Sequence, residues 1–233
     1  MKNRILKYTS ILVMSVMVFM TVNLFSVVAS PAIWDGTVAT GFESGDGTEA
    51  NPFVIKNGAQ LAYFASLVND GDKLEEQYFA LGDDIKLNDT SNVANWKTTA
   101  PANIWPRIGS SNRGFSGVFD GRGYTISGVY HKTDASYVGF FGNVSNAVIR
   151  NLNIKESFIE GKKYVGILIG IATNTQISNC TVDGYLYAGD EANIISDAGG
   201  IAGRARDCRI EYCINYSDIL YIVNQDMLAE LLV

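Results

Sequence analysis

The acidic side chains that could carry chemistry in this 233-residue chain lie in two short segments. Asp83 and Asp84 stand side by side after a strand-like run, and Asp120 is followed two positions later by Arg122. Carboxylates near a basic side chain are the groups that cleave acidic polysaccharides, in some sites together with calcium. Aspartate beside aspartate or glycine is equally typical of a turn or a chain corner. The structural interpretation is therefore favoured over catalysis for all three carboxylates.

The sequence contains few residues that could support nucleophilic or metal-based catalysis. His131 is the single histidine, so any Ser-His-Asp or Cys-His arrangement would have to use it, and its neighbours Lys132 and Asp134 indicate a polar loop. Zinc sites built from cysteine and histidine fail on number and spacing. The sequence predicts no cofactor and no metal, calcium being the one ion that the acidic turns could attract. We expect a protein that is not an enzyme.

Three cysteines follow the N-terminal region: Cys180, Cys208 and Cys213. An odd number does not describe a disulfide framework. Cys180 and Cys213 occupy the same place in two successive segments, where Leu152 stands in the segment before them. Such a place indicates a buried position, with cysteine acting as a small apolar residue. A Cys180–Cys213 disulfide is the alternative for an exported chain.

The same pattern occurs three times between residues 137 and 215. Glycines Gly142, Gly170 and Gly203 end the runs VGFFG, VGILIG and AGGIAG. An isoleucine follows seven residues after each glycine, at Ile149, Ile177 and Ile210. A fixed spacing of core residues with loops of varying length is typical of a solenoid, because each unit buries its face against its neighbours.

Asparagines and aromatic residues add two further candidates. Asn151 and Asn179 occupy equal positions in successive units, where stacked side-chain amides would stabilise turns, and Tyr212 interrupts this series in the third unit. Aromatic side chains could stack on sugars. The aromatic candidates are Trp96, Trp105, Tyr185, Tyr187, Tyr216 and Tyr221. Burial of the two tryptophans beneath the loop of residues 88–106 is the alternative explanation.

Short strands separated by Gly, Asn and Asp predict an all-β fold. Units of 28 to 33 residues accommodate about three strands each, which is the arithmetic of a parallel β-helix. One helix is expected before the strands, because Leu61, Phe64, Ala65 and Val68 form an apolar stripe. Asn57 would cap its start and Gly71 its end. We expect this short amphipathic helix to cover the N-terminal end of the solenoid.

The first thirty residues predict a secretory signal. Lys2, Arg4 and Lys7 precede a mostly apolar stretch at 11–28, with small residues for cleavage after Ala29 or Ala32. A retained membrane anchor is the alternative. Cleavage would take the net charge from −6 to −9 and leave no membrane span. An acidic chain lacks the basic patches that nucleic acid requires, so no nucleic-acid partner is expected.

Four regions follow from these patterns. They are a signal peptide at 1–30, an N-terminal segment with the capping helix at 31–75, a parallel β-helix at 76–219, and an atypical tail at 220–233. The tail contains no further glycine run. One permitted choice of codons for residues 226–233 spells YVGGIVG in another frame, so our hypothesis is a frameshift in a longer gene. A genuine terminal helix, with Met227, Leu228, Leu231 and Leu232 covering the end, is the alternative.

The order of these segments resembles a known family. WDG, GDGTEANPF, QLAYFASLVN, YFALGDDIKL and FSGVFDGRGYTISG, followed by the three glycine runs, look like secreted bacterial proteins with GLUG motifs. The resemblance implies a right-handed parallel β-helix, displayed on the cell surface or released from it. It supplies no family-wide catalytic residues. Two departures are the shorter first run and Ile167, where the motif has a glycine.

Together these patterns predict a monomeric secreted or cell-surface module. It would bind a glycan, or another ligand on a host surface or cell wall, or serve as a spacer. Two alternatives stay open: a carbohydrate-active β-helix enzyme, and a truncated N-terminal accessory part of a larger surface enzyme such as a peptidase.

Overall fold

Parallel β-strands make up most of the structure, a computed structural model that describes residues 30–189 and 197–222. The chain divides into two units, Met1–Ser30 and Pro31–Val233. The predicted signal peptide, apart from Ser30, and the tail after residue 222 lie outside the described residues. No helix within those described ranges is long and apolar enough to cross a membrane.

Nineteen strands, one α-helix and one 3-10 helix make up the regular structure of the described residues. In chain order they are Phe53–Ile55 (β1), Gly58–Asp70 (α1), Tyr78–Leu81 (β2), Ile85–Lys86 (β3), the 3-10 helix Thr90–Asn95, Val118–Asp120 (β4), Thr125–Ser127 (β5), Tyr130–Lys132 (β6), Ser136–Val138 (β7), Phe141–Ser145 (β8), Val148–Arg150 (β9), Asn153–Gly161 (β10), Lys163–Gly166 (β11), Ile169–Thr173 (β12), Gln176–Ser178 (β13), Thr181–Ala188 (β14), Ala198–Gly199 (β15), Ala202–Arg206 (β16), Arg209–Glu211 (β17), Ile214–Asn215 (β18) and Asp218–Tyr221 (β19).

The strands form four sheets, which we call together the strand stack. The first sheet has the order β1-β2-β4-β9-β13-β17. The second has the order β18-β14-β10-β5-β3, with β19 beside β14 and β6 beside β10. The third contains β15-β11-β7 and the fourth β16-β12-β8. Every pairing between these strands is parallel, so the predictions of an all-β chain and of parallel sheets are confirmed.

The three glycine runs lie in register beside one another. Ile177 of β13 is the Cα partner of Ile149 on one side and of Ile210 on the other. A Cβ atom at Gly170 would lie 2.6 Å from the carbonyl oxygen of Gly142 and 2.7 Å from the amide nitrogen of Val138. Real Cβ contacts are not that short, so this position requires glycine for close approach of neighbouring backbones.

Helix α1 begins and ends where the sequence predicts. The Asn57 side chain accepts a hydrogen bond from the backbone N–H of Gln60, and Gly71 ends the helix in the left-handed conformation. The apolar stripe is buried, with the Phe64 ring centroid 4.6 Å from that of Phe79 and 5.2 Å from that of Phe115. The helix therefore packs directly on aromatic side chains of the core.

The loop at 88–106 lies against the strand stack through its tryptophans. Trp96 and Trp105 are buried, and the Trp105 ring stacks on Phe140 with centroids 5.3 Å apart. The Trp105 Nε1–H donates to the Phe140 carbonyl at 3.1 Å. Burial of the tryptophans, one of the two explanations considered above, accounts for their presence, and neither offers a free ring face.

Four local predictions need correction. The alternating pattern from Tyr78 to Leu87 predicts a pair of strands around the turn at Asp83 and Asp84, but the two flanking strands do not pair with each other, because β2 belongs to the first sheet and β3 to the second. His131 lies on strand β6 rather than in a loop. Ile210, expected in the core, is 43% exposed, because β17 is the outer strand of its sheet and Ile177 is its partner on one side only. Cys213, expected to be buried, is only partly so, since it lies on the same outer edge.

Candidate functional site

Asp120, the last residue of β4, is held by three hydrogen bonds. Its Oδ1 accepts from Asn151 Nδ2 at 2.9 Å and from the backbone N–H of Arg122 at 2.8 Å. Its Oδ2 accepts from Arg150 Nε at 2.8 Å. Arg150 is the Cα partner of Asp120, so this ion pair joins two adjacent strands. The next strand, β5, belongs to another sheet, which makes Asp120-Gly121 a chain corner rather than a hairpin.

The same contacts set the protonation of Asp120. Partial burial raises the pKa of this carboxyl, but the hydrogen bonds from Asn151, from the Arg122 N–H and from Arg150, with the Arg150 charge, lower it further than burial raises it. The pKa therefore lies below the ordinary value of 3.8. A carboxylate this stable as an anion is a weak proton acceptor, and both of its oxygens accept hydrogen bonds from the protein. Asp120 thus has the features of a structural residue.

The side chains of Asp83 and Asp84 also accept hydrogen bonds from backbone N–H groups. Asp84 Oδ1 accepts from the backbone N–H of Thr125 at 2.7 Å, which joins this corner to the start of β5. Asp83 Oδ1 accepts from the backbone N–H of Asp84 at 2.8 Å. Neither residue lines the groove that contains Asp120. The three candidate carboxylates are therefore not gathered in one groove.

An open groove of about 440 Å³ lies beside Asp120, and we call it the asparagine groove. It is lined by Asp120, Arg122, Gly123, Asn151, Asn153 and Asn179. Arg122 has a φ of 50°, and the Asn153 Nδ2 donates to the Gly123 carbonyl at 2.8 Å. The lining combines amides with one carboxylate and one guanidinium. Such groups suit hydrogen bonding to a hydroxyl-rich ligand.

The asparagines of this groove form a ladder. Asn179 Nδ2 donates to Asn151 Oδ1 at 3.2 Å, and Asn151 in turn donates to Asp120. Both asparagines have a φ of 53°, a left-handed conformation that asparagine tolerates better than most residues. Tyr212 follows at the equivalent place with a φ of 54°, and its side chain is 83% exposed. The ladder therefore ends at the outer edge of the strand stack.

A second ladder was missed by sequence reasoning. Asn174 Nδ2 donates to Asn146 Oδ1 at 2.7 Å, and Asp207 is next in line. All three residues have positive φ values, between 47° and 55°. A signal was available, because each residue lies four positions after one of the repeated glycines, Gly142, Gly170 and Gly203.

Aromatic side chains form a stripe on the second sheet. The Phe158 ring lies between Tyr130 and Tyr187, with centroid distances of 5.6 Å and 5.3 Å. Trp96 meets Tyr130 edge-on at 5.8 Å, and Lys97 Nζ lies 4.3 Å from the centre of the Tyr187 ring. Phe158 is therefore covered by the loop.

The remaining aromatic candidates differ in exposure. Tyr185 and Tyr187 are half-buried, whereas Tyr216 and Tyr221 are exposed at the outer edge formed by β18 and β19. Stacking on a sugar requires an open ring face. Of the six aromatic candidates, these four tyrosines keep part of a ring face accessible.

His131 lies in a separate cleft of about 300 Å³, which we call the basic cleft. The cleft is lined by Asn69, Pro106, Arg107, Gly109, Ser110, Arg113 and His131. His131 Nδ1 is 2.7 Å from the Trp105 carbonyl oxygen, and its Nε2 is buried without a hydrogen-bond partner among the described residues. Burial lowers the pKa of His131, opposed by the hydrogen bond to Trp105 and reinforced by the Arg107 charge. The neutral ring therefore donates through Nδ1.

The three cysteines are free thiols. Cys180 is fully buried and lies beside Leu152 and Cys213 in the same column of the strand stack. The contact with the Cys213 thiol, together with burial, raises the pKa of Cys180. The buried Cys180 thiol acts as an apolar packing group, as its sequence position suggests.

No group of three or more histidine, cysteine, aspartate or glutamate side chains that could hold a metal ion occurs within 30–189 and 197–222. The carboxylates considered for calcium, Asp83, Asp84 and Asp120, accept hydrogen bonds from the protein instead.

Comparison with known proteins identifies long relatives. The chain is 29% identical over 191 residues to halomucin of Haloquadratum walsbyi, a match that covers 76% of this chain and 2% of that protein. It is 33% identical over 134 residues to a protein of Evansella cellulosilytica described as a Gly-rich membrane protein, covering 55% of this chain and 14% of the relative. The chain thus spans a small part of each. No family model matches the chain. No solved structure matches it.

Proposed function

We propose that residues 76–219 form a right-handed parallel β-helix of the GLUG-motif type, and that this β-helix is a non-catalytic binding module of a secreted or cell-surface protein. Helix α1 would cover its N-terminal end. Support for the architecture comes from the registers, since Ile149, Ile177 and Ile210 pair in a column of parallel strands. The right hand is the one that parallel crossover connections adopt.

The observation that carries the non-catalytic part is the engagement of Asp120. Both oxygens of this carboxylate accept hydrogen bonds: those from Arg150 and Asn151 link Asp120 to a part of the chain about thirty residues later, and the one from the Arg122 N–H closes the local turn. A general acid or base has to exchange protons near neutral pH, and a carboxylate that these contacts hold as an anion is poorly suited to that role. The same interactions fix the asparagine groove, whose amides and guanidinium suit saccharide hydroxyls.

The relatives support a place at the cell surface. One of them is described as a membrane protein, and this chain corresponds to 14% of its length and to 2% of halomucin. A segment of this size within a long chain is consistent with a module that presents a binding surface or separates other parts of a surface protein. The acidic composition, with a net charge of −6, keeps such a module soluble.

The test separates binding from cleavage. Purified protein is incubated with pectin-like and other acidic polysaccharides in the presence of calcium, and reducing ends and ultraviolet-absorbing unsaturated products are measured. Binding is measured in parallel by affinity electrophoresis. We expect retarded migration without new products. Products that disappear in Asp120→Asn but persist in Asp134→Asn would overturn the non-catalytic assignment. The control is matched because Asp134 is an exposed aspartate outside the asparagine groove.

Absence of binding to every polysaccharide, to mucin and to cell walls would contradict the binding part of the proposal and leave a spacer. Surface location is tested on intact cells by protease treatment. Digestion of the protein without cell lysis is expected. Protection from protease on intact cells, with digestion after lysis, would contradict the surface assignment.

A further inference from the structure

The basic cleft combines two arginines and the single histidine in a chain whose net charge is −6. Neither Arg107 nor Arg113 forms an ion pair with any residue that the structure describes. The Arg107 side chain is partly buried, and that burial lowers the pKa of its guanidinium. A partly desolvated cation without a counter-charge is unfavourable, and an anion bound beside it would offset the cost.

The cleft is rigid, because its walls are fixed by hydrogen bonds from distant parts of the chain. Asn69, in the last turn of α1, donates through Nδ2 to the Arg107 carbonyl at 3.0 Å and accepts at Oδ1 from the Gly109 N–H at 2.8 Å. Asn143 Nδ2 donates to the Ser110 carbonyl at 2.9 Å. A donor set held in this way loses little entropy when a ligand binds.

The position of Arg113 is fixed by the same frame. Ser110 and Arg113 exchange backbone hydrogen bonds across a tight turn, at 2.6 Å and 3.2 Å. The Arg113 Nη1 donates to the Asn69 carbonyl at the end of α1. One side of this guanidinium therefore caps the helix, and its other N–H groups remain available at the cleft.

His131 supplies a further polar atom without a partner. Its Nδ1 is committed to the Trp105 carbonyl, so Nε2 is the atom that can respond to a ligand. Arg107 is the charged group that acts on the ring. From β10 the partner of His131 is Ile159, while the neighbouring Lys132 is paired with Glu160. An anion in the cleft would therefore favour the protonated ring.

We propose that the basic cleft binds the carboxylate of an acidic saccharide unit, with Arg107 as the charged anchor, with Arg113 and Ser110 as further donors, and with His131 donating through Nε2 when the bound anion favours the protonated ring. This inference rests on the proposed saccharide-binding function and names the site and the chemical group. A volume of about 300 Å³ lies at the lower end of ligand-binding pockets, which suits a single sugar unit. The net negative charge of the chain disfavours a polyanion with the charge density of nucleic acid, whereas the carboxylate of one sugar unit meets a local cluster of cations.

The test uses the fact that His131 is the only histidine. In ¹⁵N-labelled full-chain protein without a histidine tag, every imidazole signal in the NMR spectrum belongs to this residue. The protein is titrated separately with glucuronate, glucose, acetate and inorganic phosphate. We expect glucuronate to move the His131 signals in a saturable way and to raise the apparent pKa of His131. Glucose, which lacks the carboxylate, is expected to leave both unchanged.

Variants then assign the binding groups. Arg107→Gln is expected to weaken glucuronate binding at least tenfold, and Arg113→Gln severalfold, since each removes a charge while keeping a polar side chain. Arg107→Lys is expected to retain part of the binding. Arg206→Gln is the matched control, because Arg206 is an exposed arginine on β16 outside the cleft. Unchanged thermal melting shows that each variant is folded.

Three results would contradict the inference. They are wild-type affinity in Arg107→Gln, an equal response to glucose, and acetate or phosphate binding as tightly as glucuronate, which would reduce the cleft to a simple anion site. Affinity electrophoresis separates this failure from failure of the proposed function. If Arg107→Gln no longer binds glucuronate but still binds a polysaccharide, the polysaccharide binds at a site other than the basic cleft. If the wild-type protein binds a polysaccharide but does not bind glucuronate, only the assignment of the cleft is contradicted.

Discussion

Side chains that face the core are buried near the N-terminal end of the strand stack and partly exposed near its other end. Near the N-terminal end, the Phe64 ring of α1 covers aromatic side chains of the first strands, and Phe79 is only 1% exposed. At the other end, β17 and β19 are outer strands, and Ile210 and Ile219 are 43% and 37% exposed although their partners Ile177 and Leu186 are fully buried. The difference lies in the neighbours, because each strand buries its inner side chains against the strand on either side.

The column of repeated isoleucines shows this within one residue type. Ile149 and Ile177 are fully buried between neighbouring strands, whereas Ile210 has a neighbouring strand on one side only within residues 30–189 and 197–222. The side chain and its place in the pattern are the same in all three. Burial in a repeated structure therefore follows from position along the stack as much as from the residue.

The largest expected effect compares two identical substitutions in this column. Ile177→Ala should lower the free energy of unfolding by about 2–5 kcal/mol, because it leaves a cavity between two packed strands. Ile210→Ala should cost about 1 kcal/mol or less, because its side chain is partly hydrated already. Urea denaturation followed by circular dichroism measures both. Equal losses would show that the C-terminal edge is covered in solution.

The asparagine ladder gives the second comparison, at about half that size. Asn179→Ala should destabilise the protein by about 1–2 kcal/mol, because alanine disfavours the left-handed backbone and cannot donate to Asn151. Tyr212→Asn, next to the outer strand β17, should stabilise it by about 0.5–1 kcal/mol, since asparagine tolerates that backbone better and can extend the ladder. Thermal melting of both variants tests the pair. A Tyr212→Asn protein less stable than wild type would contradict the ladder as a source of stability.

Local patterns were readable from the sequence. The helix limits at Asn57 and Gly71, the turn-forming loop at 88–106 and the column of Ile149, Ile177 and Ile210 depend on residues within a few positions or on a constant offset. The second ladder, at Asn146 and Asn174, follows the same kind of offset and could have been found.

Contacts between residues far apart in the chain could not be predicted from the sequence. Arg150 is thirty residues from Asp120, yet it occupies the carboxylate that the sequence offers as a catalytic candidate. The basic cleft brings Asn69 beside Arg107, thirty-eight residues later, and both beside His131. Neither arrangement has a fixed spacing, because each depends on how loops of different length return to the strand stack.

The smallest expected effect is a pH dependence that originates at His131 on β6. Burial and the Arg107 charge lower the pKa of His131, so the folded protein resists a proton that the unfolded chain accepts below about pH 6.5. Stability should therefore be fully present above pH 6.5 and should fall as the pH decreases toward the folded-state pKa of His131. One such group gives a slope of at most about 1.4 kcal/mol per pH unit. The lowered pKa of Asp120 acts in a separate window, below its ordinary value of 3.8.

His131→Gln isolates this contribution. Its free energy of unfolding, measured by urea denaturation between pH 7.5 and pH 4.5, should depend less on pH than that of wild type, because glutamine does not titrate. Hydrogen exchange at low pH should increase first near Trp105, whose carbonyl accepts the His131 hydrogen bond, and not at the outer strands. If wild type and His131→Gln lose stability in parallel, the histidine does not control the acid response. If exchange increases first at β17 instead, the outer strand is less stable at low pH than the region around His131, and the prediction is wrong.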